Sequence, residues 1–191
     1  MFQLSQPLIL ASNSPRRRQL LHDIGFSFDI RVLPTDESYP ENMICRDVAG
    51  HISHQKAEMF RGLYPGHLIL TADTVVIIDN KILGKPENDY EAFQMLSLLS
   101  GTKHEVITAI SLLANDSIET FSDIASVSFK NLTEGEINHY ISTCKPTDKA
   151  GAYGIQEWIG MIGINKIEGS FYTIMGLPVH LIYDILKPYR I

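Results

Sequence analysis

The sequence predicts an α/β protein built on a mixed β-sheet flanked by helices, and three observations carry that prediction. Apolar strand-like runs alternate with helical stripes along the 191 residues. Asp79-Asn80 and Asn115-Asp116 each separate two β-prone runs by a pair suited to a tight hairpin, so some strands must run antiparallel. Capping residues stand before several of the helical stripes. No linker, repeat or low-complexity stretch interrupts the chain, which reads as a single domain over residues 1–191.

Taken in order, residues 8–11 form a buried strand, Ser14 caps the first helix, and Pro15 occupies its first turn. That helix passes through Leu20, Leu21 and Ile24 and stops at Gly25. Residues 28–33 make a strand closed by Pro34. Val48, Ile52, Met59 and Leu63 fall on one helical stripe within residues 47–64. Residues 68–78 are strongly β-prone and turn at Asp79-Asn80 into residues 81–83. Asn88 with Glu91 resembles a capping box for a helix ending at Ser100-Gly101. Residues 104–114 and 118–129 form the second hairpin, and Thr133 with Glu136 caps a helix reaching about residue 142. A strand over residues 161–167 and a closing helix over 177–186 complete the chain.

Composition excludes several classes. Hydrophobic residues at 45% and charged residues at 20% are ordinary globular usage. The net charge of −6 argues against a broad nucleic-acid footprint and makes Arg16, Arg17 and Arg18 a local exception. Cys45 and Cys144 show neither a disulfide framework nor a zinc-binding spacing. With no long apolar run and no leader pattern, neither a membrane span nor a secretory signal is expected, and the cytoplasm follows by default. The phosphate-loop, dinucleotide, nucleophile-elbow and zinc-protease motifs are all missing. His51 and His54, three apart with no third ligand nearby, read as solvated.

Four segments could carry chemistry. Arg16, Arg17 and Arg18 lie in the first turn of a helix whose dipole is already positive, which costs about 0.3 to 1 kcal/mol each unless an anion neutralises that end. Helix starts offer unpaired N–H groups to phosphate and arginine adds forked donors, so a polyphosphate ligand is the sharp reading; solvated or ion-paired arginines are the plain one. Asp73 interrupts an apolar strand and suits a general base or a metal ligand, or else pins a bulge between Thr71 and Thr74. Lys85, between Gly84 and Pro86, could reach a phosphate, or be an ordinary surface lysine. The stretch Gly151-Ala152-Tyr153-Gly154-Ile155-Gln156 is a glycine-dense turn with one amide able to read a base edge, or a plain tight loop.

These segments bring out a family likeness. The chain resembles the Maf proteins, nucleoside triphosphate pyrophosphatases related in fold to the inosine triphosphate pyrophosphatases, over nearly its full length. The opening signature is Ala11-Ser12-Asn13-Ser14-Pro15-Arg16-Arg17. Then come Asp36-Glu37, Lys56-Ala57, Ala72-Asp73-Thr74, Gly84-Lys85-Pro86, and Leu99-Ser100-Gly101 ahead of His104. Ala150 to Gln156, Ile167-Glu168-Gly169-Ser170 and Gly176-Leu177-Pro178 complete the set.

The resemblance implies two lobes around a cleft and metal-dependent cleavage of a nucleoside triphosphate to the monophosphate and pyrophosphate. It implies Asp73 as the proton acceptor, with Lys56 and Lys85 as its catalytic companions. Ser12, Arg16, Lys56 and Lys85 surround the phosphates, Arg17 belongs with the substrate-binding residues, and Glu37 with Asp73 falls to a divalent cation, Mg2+ or Mn2+. The Ala-Tyr-Gly-Ile-Gln form is similar to the branch acting on dTTP and UTP, in which Arg16, Thr74 and Gln156 match positions tied to substrate choice. Glu157-Trp158 departs from the small residues that follow this glutamine in the family. A homodimer, and a role in cleaning nucleotide pools or controlling cell division, are further implications. The alternatives are a 7-methyl-GTP pyrophosphatase and a non-catalytic nucleotide- or nucleic-acid-binding regulator of septum formation.

Overall fold

The computed structural model describes residues 2–191. Strands β1 (Leu8–Leu10), β2 (Asp29–Ile30), β3 (Leu68–Ile78), β4 (Lys81–Leu83), β5 (Lys103–Ala114), β6 (Ser117–Phe129) and β7 (Ile164–Glu168) form one sheet. Its order is β2-β1-β3-β5-β6-β7, with β4 paired to β3. β1 runs parallel to β2 and β3, whereas β3–β4 and β6–β7 are antiparallel, so the sheet is mixed as expected. The helices are α1 (Pro15–Asp23), α2 (Cys45–Glu58), α3 (Asp89–Leu99), α4 (Glu134–Cys144), α5 (Trp158–Gly163), α6 (Phe171–Met175) and α7 (Val179–Ile185). Among the described residues no helix is long and apolar enough to cross a membrane.

The chain folds as two compact units. The first comprises residues up to Asp73, Thr108–Asp123 and Gly176–Ile191; the second comprises Thr74–Ile107 and Ile124–Met175. In the first, Ile9, Ala11, Ala57, Phe60, Ile69 and Leu113 pack together. In the second, Val76, Leu96, Leu99, Val106, Val127 and Phe129 belong to a larger cluster joined by Tyr140 and Tyr153. Each large apolar side chain so buried contributes about 1.5–3 kcal/mol.

Local chemistry sets most boundaries. Ser14 caps α1 by accepting the Arg17 N–H at 3.4 Å, an arrangement whose loss costs about 1 kcal/mol. At both hairpin turns the two central residues have positive φ: 49° and 57° at Asp79-Asn80, 48° and 62° at Asn115-Asp116. Asn and Asp tolerate that conformation, and it matches the twist of the flanking strands. The Thr133–Glu136 box is reciprocal, with the carboxylate returning to the Thr133 N–H at 2.7 Å. Around Asn88 it is only half formed, since the Glu91 carboxylate binds the Glu87 N–H instead.

Four expectations change. β2 has two residues rather than six, and Asp29 is exposed. α2 stops at Glu58, and Met59 and Leu63 are 48% and 54% exposed where the stripe predicted burial; Phe60 is buried in their place. Residues 158–163 are helical, so the strand expected from 161 begins at Ile164, on β6 beside a bulge at Ser128/Phe129. The five-residue α6 was not foreseen, and the closing helix starts at Val179, after Pro178.

Candidate active site

In the first unit, β1 is continued by the Ala11 N–H, which donates to the Leu70 carbonyl at 2.9 Å, and the chain then turns into α1. Ser12 is buried, and its hydroxyl accepts the Ser14 N–H at 3.2 Å. Arg16 is half-buried in the first helical turn. The Arg17 guanidinium donates through Nε to the Gly176 carbonyl at 2.8 Å and through Nη1 to the Ala72 carbonyl at 2.7 Å. It therefore ties α1 to the residue before Asp73, a positioning duty that helix-start reasoning did not anticipate. Burial draws the pKa of Arg17 down, while the charge of Asp73 pulls it up, opposed by Arg16 and helped by Glu37. Some compensation for the crowded arginines is thus internal to the fold.

Asp73 lies within β3 and Lys56 near the end of α2. Lys56 Nζ donates to Asp73 Oδ1 at 2.8 Å and pairs with Glu37 Oε1 at 2.7 Å. Lys56 and Asp73 are largely buried, at 16% and 13% side-chain exposure, whereas Glu37 is half exposed. Among the described residues, the Asp73 Oδ2 atom receives no hydrogen bond. One oxygen is fixed and the other is open to accept a proton.

A seam of buried hydroxyls sets the register that makes this pair meet. Thr71 Oγ1 donates to the Ser53 carbonyl at 2.7 Å and lies 3.2 Å from Ser53 Oγ. Ser111 Oγ adds a bond to Ser53 Oγ at 3.0 Å and reaches Thr120 Oγ1 at 2.8 Å. Ser53 and Lys56 are neighbours on one helix face, and Thr71 and Asp73 share one face of the strand. Fixing the first contact therefore delivers the second.

In the second unit, Thr74 is half-buried and Lys85 is exposed. The Gly84 carbonyl beside Lys85 accepts the Gly151 N–H at 3.0 Å, joining that turn to the glycine-dense loop. Gly151 has φ +67°, and a Cβ there would come within 3.1 Å of Val76. The Gln156 Oε1 atom is buried and accepts no hydrogen bond from any described residue. His104 is buried, 2.8 Å from the Tyr153 hydroxyl, and its pKa is pushed down to about 4 by burial.

Among the described residues no three His, Cys, Asp or Glu side chains gather as a metal cluster. Glu37 and Asp73 nevertheless converge on one ammonium, and hard divalent cations are commonly held by one or two carboxylates with phosphates and waters. The donor set fits a cation that shares its coordination with a polyphosphate. Of His51 and His54, the latter turns to Thr120 at 3.3 Å and to Glu58 at 3.6 Å.

A profile described as Maf-like protein matches residues 7–189. The chain belongs to the Maf family. This Maf chain is 47% identical over 182 residues to the dTTP/UTP pyrophosphatase of Bacteroides thetaiotaomicron, with 94% of each covered. It is 44% identical over 186 residues to that of Porphyromonas gingivalis strain W83, covering 95% of this chain and 94% of the relative. Among solved structures, the Staphylococcus aureus Ham1 protein superposes with a TM-score of 0.55 at 14% identity, covering 96% of this chain and 99% of that one. The Maf chain thus shares that fold.

Proposed function

We propose that the protein hydrolyses dTTP and UTP to the nucleoside monophosphate and pyrophosphate. The observation that carries the reaction is Asp73, with one oxygen fixed by Lys56 and the other open; the dTTP/UTP pyrophosphatase relatives support the substrate. Asp73 Oδ2 takes a proton from a water whose oxygen attacks the innermost phosphorus. The bond from that phosphorus to the bridging oxygen breaks, and pyrophosphate leaves with the electron pair. Lys56 orients the acid, and Ser12 and Arg16 at the start of α1 meet the phosphates. Arg17 positions that segment through its two backbone carbonyls. Lys85 adds positive charge toward the phosphates, and Thr74 and Gln156 contribute to base selection. Glu37 and Asp73 are the side chains that would hold Mg2+ or Mn2+, which supplies charge stabilisation and orientation when bound.

The deciding experiment is a panel of nucleoside triphosphates with metal, products identified. UMP or dTMP with pyrophosphate is expected. A diphosphate with orthophosphate as the sole products overturns the reaction, and 7-methyl-GTP turnover equal to that of UTP overturns the substrate class. Binding without turnover points to a regulator instead. Gln156→Ala should lower the preference for UTP over GTP about tenfold, since a base that leaves a buried amide unpaired costs about 1–3 kcal/mol.

A further inference from the structure

Glu157, which directly follows Gln156, is the hub of a largely buried network. It stands at the N-cap of α5, where an acidic side chain would ordinarily receive the helix's own N–H groups, yet it makes no such bond. Its carboxylate turns inward. Oε2 accepts the hydroxyl proton of Tyr140, and Oε1 lies 3.2 Å from Lys149 Nζ. Tyr140 is fully buried, and its hydroxyl also accepts the Gly154 N–H at 3.0 Å. Lys149, 8% exposed, is further paired with Asp148 at 2.5 Å.

The loop is pinned from several directions. A Cβ on Gly154 would stand 2.7 Å from the Glu157 carboxyl carbon, so the carboxylate fills the space above that glycine. The Glu157 N–H donates to the Gly154 carbonyl at 3.0 Å. A Cβ on Gly160 would lie 2.0 Å from the Ile155 carbonyl oxygen, so α5 presses directly on the loop backbone. Gln156, with its buried and unpartnered Oε1, sits between the fixed points 154 and 157. Burying ion pairs rarely stabilises a fold beyond what apolar packing achieves, so this network is better explained by the geometry it imposes.

We propose that Glu157 is a positioning residue for base recognition: clamped by Tyr140 and Lys149, it fixes the 154–157 turn and thereby aims the Gln156 amide. The proposal rests on the reading of Gln156 as the group that reads the base.

The test is steady-state pyrophosphate release from UTP and GTP by wild type, Glu157→Gln, Gln156→Ala and the double variant. Glu157→Gln should raise KM for UTP about five- to tenfold with kcat changed less than about threefold, the pattern of lost uniform binding. The UTP:GTP ratio of kcat/KM should fall toward that of Gln156→Ala, and the double variant should match Gln156→Ala alone, because the two residues act in series. A folded Glu157→Gln with an unchanged ratio, or a double variant whose losses multiply, overturns the proposal. If Glu157→Gln does not fold, Tyr140→Phe removes both hydroxyl contacts, and an unchanged ratio there overturns it equally. Wild type inactive on every triphosphate refutes the proposed function and this inference with it, whereas active wild type with unaltered selectivity in the variants refutes the clamp alone.

Discussion

Each unit contains a lysine held between two carboxylates, and the two trios differ in what their second oxygens do. Lys56 joins Glu37 to Asp73, and Lys149 joins Asp148 to Glu157. Exposure does not separate them: the lysines are 16% and 8% exposed, and the inner carboxylates 13% and 23%. In the second trio the remaining oxygen of Glu157 is taken by Tyr140, which also holds the backbone at Gly154. In the first, Asp73 Oδ2 receives no bond from a described residue. A carboxylate bonded through both oxygens is held in place from two sides, whereas one bonded through a single oxygen leaves the other for the proton-accepting role proposed for Asp73. Sequence composition, ion-pair geometry and burial look alike; the bonding of one oxygen separates the two trios.

The sharpest way to break this contrast is Asp73→Asn. It keeps the shape of the trio and removes the proton acceptor, so kcat for UTP should fall about 10²- to 10⁴-fold. The melting temperature should move little, because Lys56 retains Glu37 at 2.7 Å. Activity surviving in this variant would make Asp73 a structural acid like Glu157.

A second test probes how closed the second unit is. His104 titrates near 6.5 when unfolded and at about 4 when folded, so between those values the unfolded chain binds the extra proton. This contribution to stability is intact above pH 6.5, declines as the pH falls, and is fully lost below about pH 4, a change of about 3 kcal/mol. Denaturant titrations across this range should show wild type losing more stability than His104→Gln by roughly that amount. Parallel curves for the two proteins would mean that His104 is charged in the fold and that its surroundings are wet.

Neighbouring arginines sharpen the first region. Arg17→Ala abandons the carbonyls of Ala72 and Gly176 and should cost about 2 kcal/mol of stability. Arg16→Ala leaves the two carbonyl bonds of Arg17 in place. Its activity should drop, and a non-cleavable nucleotide analogue should stabilise it less than wild type at equal concentration. If the analogue stabilises the Arg16→Ala variant as much as wild type, the division of labour between these arginines is wrong.

Features whose cause lies within a few residues were legible in the sequence. The Ser14-Pro15 helix start, the Thr133–Glu136 box and both Asn/Asp hairpins are such cases. Elements held by distant partners were not. β7 is an exposed strand that exists because β6 pairs with it, and the Ile and Gly residues before it favour neither period clearly. Asp73 stood out as an acid in an apolar strand, but its bond to Lys56 spans 17 residues and depends on how α2 lies on β3. An acid directly after Gln156 was visible too, whereas Tyr140 and Lys149 became its partners only through folding.

The hydroxyl seam between α2 and β3 has a consequence for anyone improving this protein by selection. Ser53, Thr71 and Ser111 are buried and bonded to one another, and Ser111 also reaches the exposed Thr120. Replacing such mutually bonded groups together by apolar isosteres is often neutral or favourable for folding. A screen that rewards heat resistance alone would therefore drift toward Ala and Val here and accumulate robust proteins in which Lys56 no longer meets Asp73. Thermal endurance and turnover have to be scored together at these positions, because the seam keeps Lys56 and Asp73 in step while adding little to the strength of the fold.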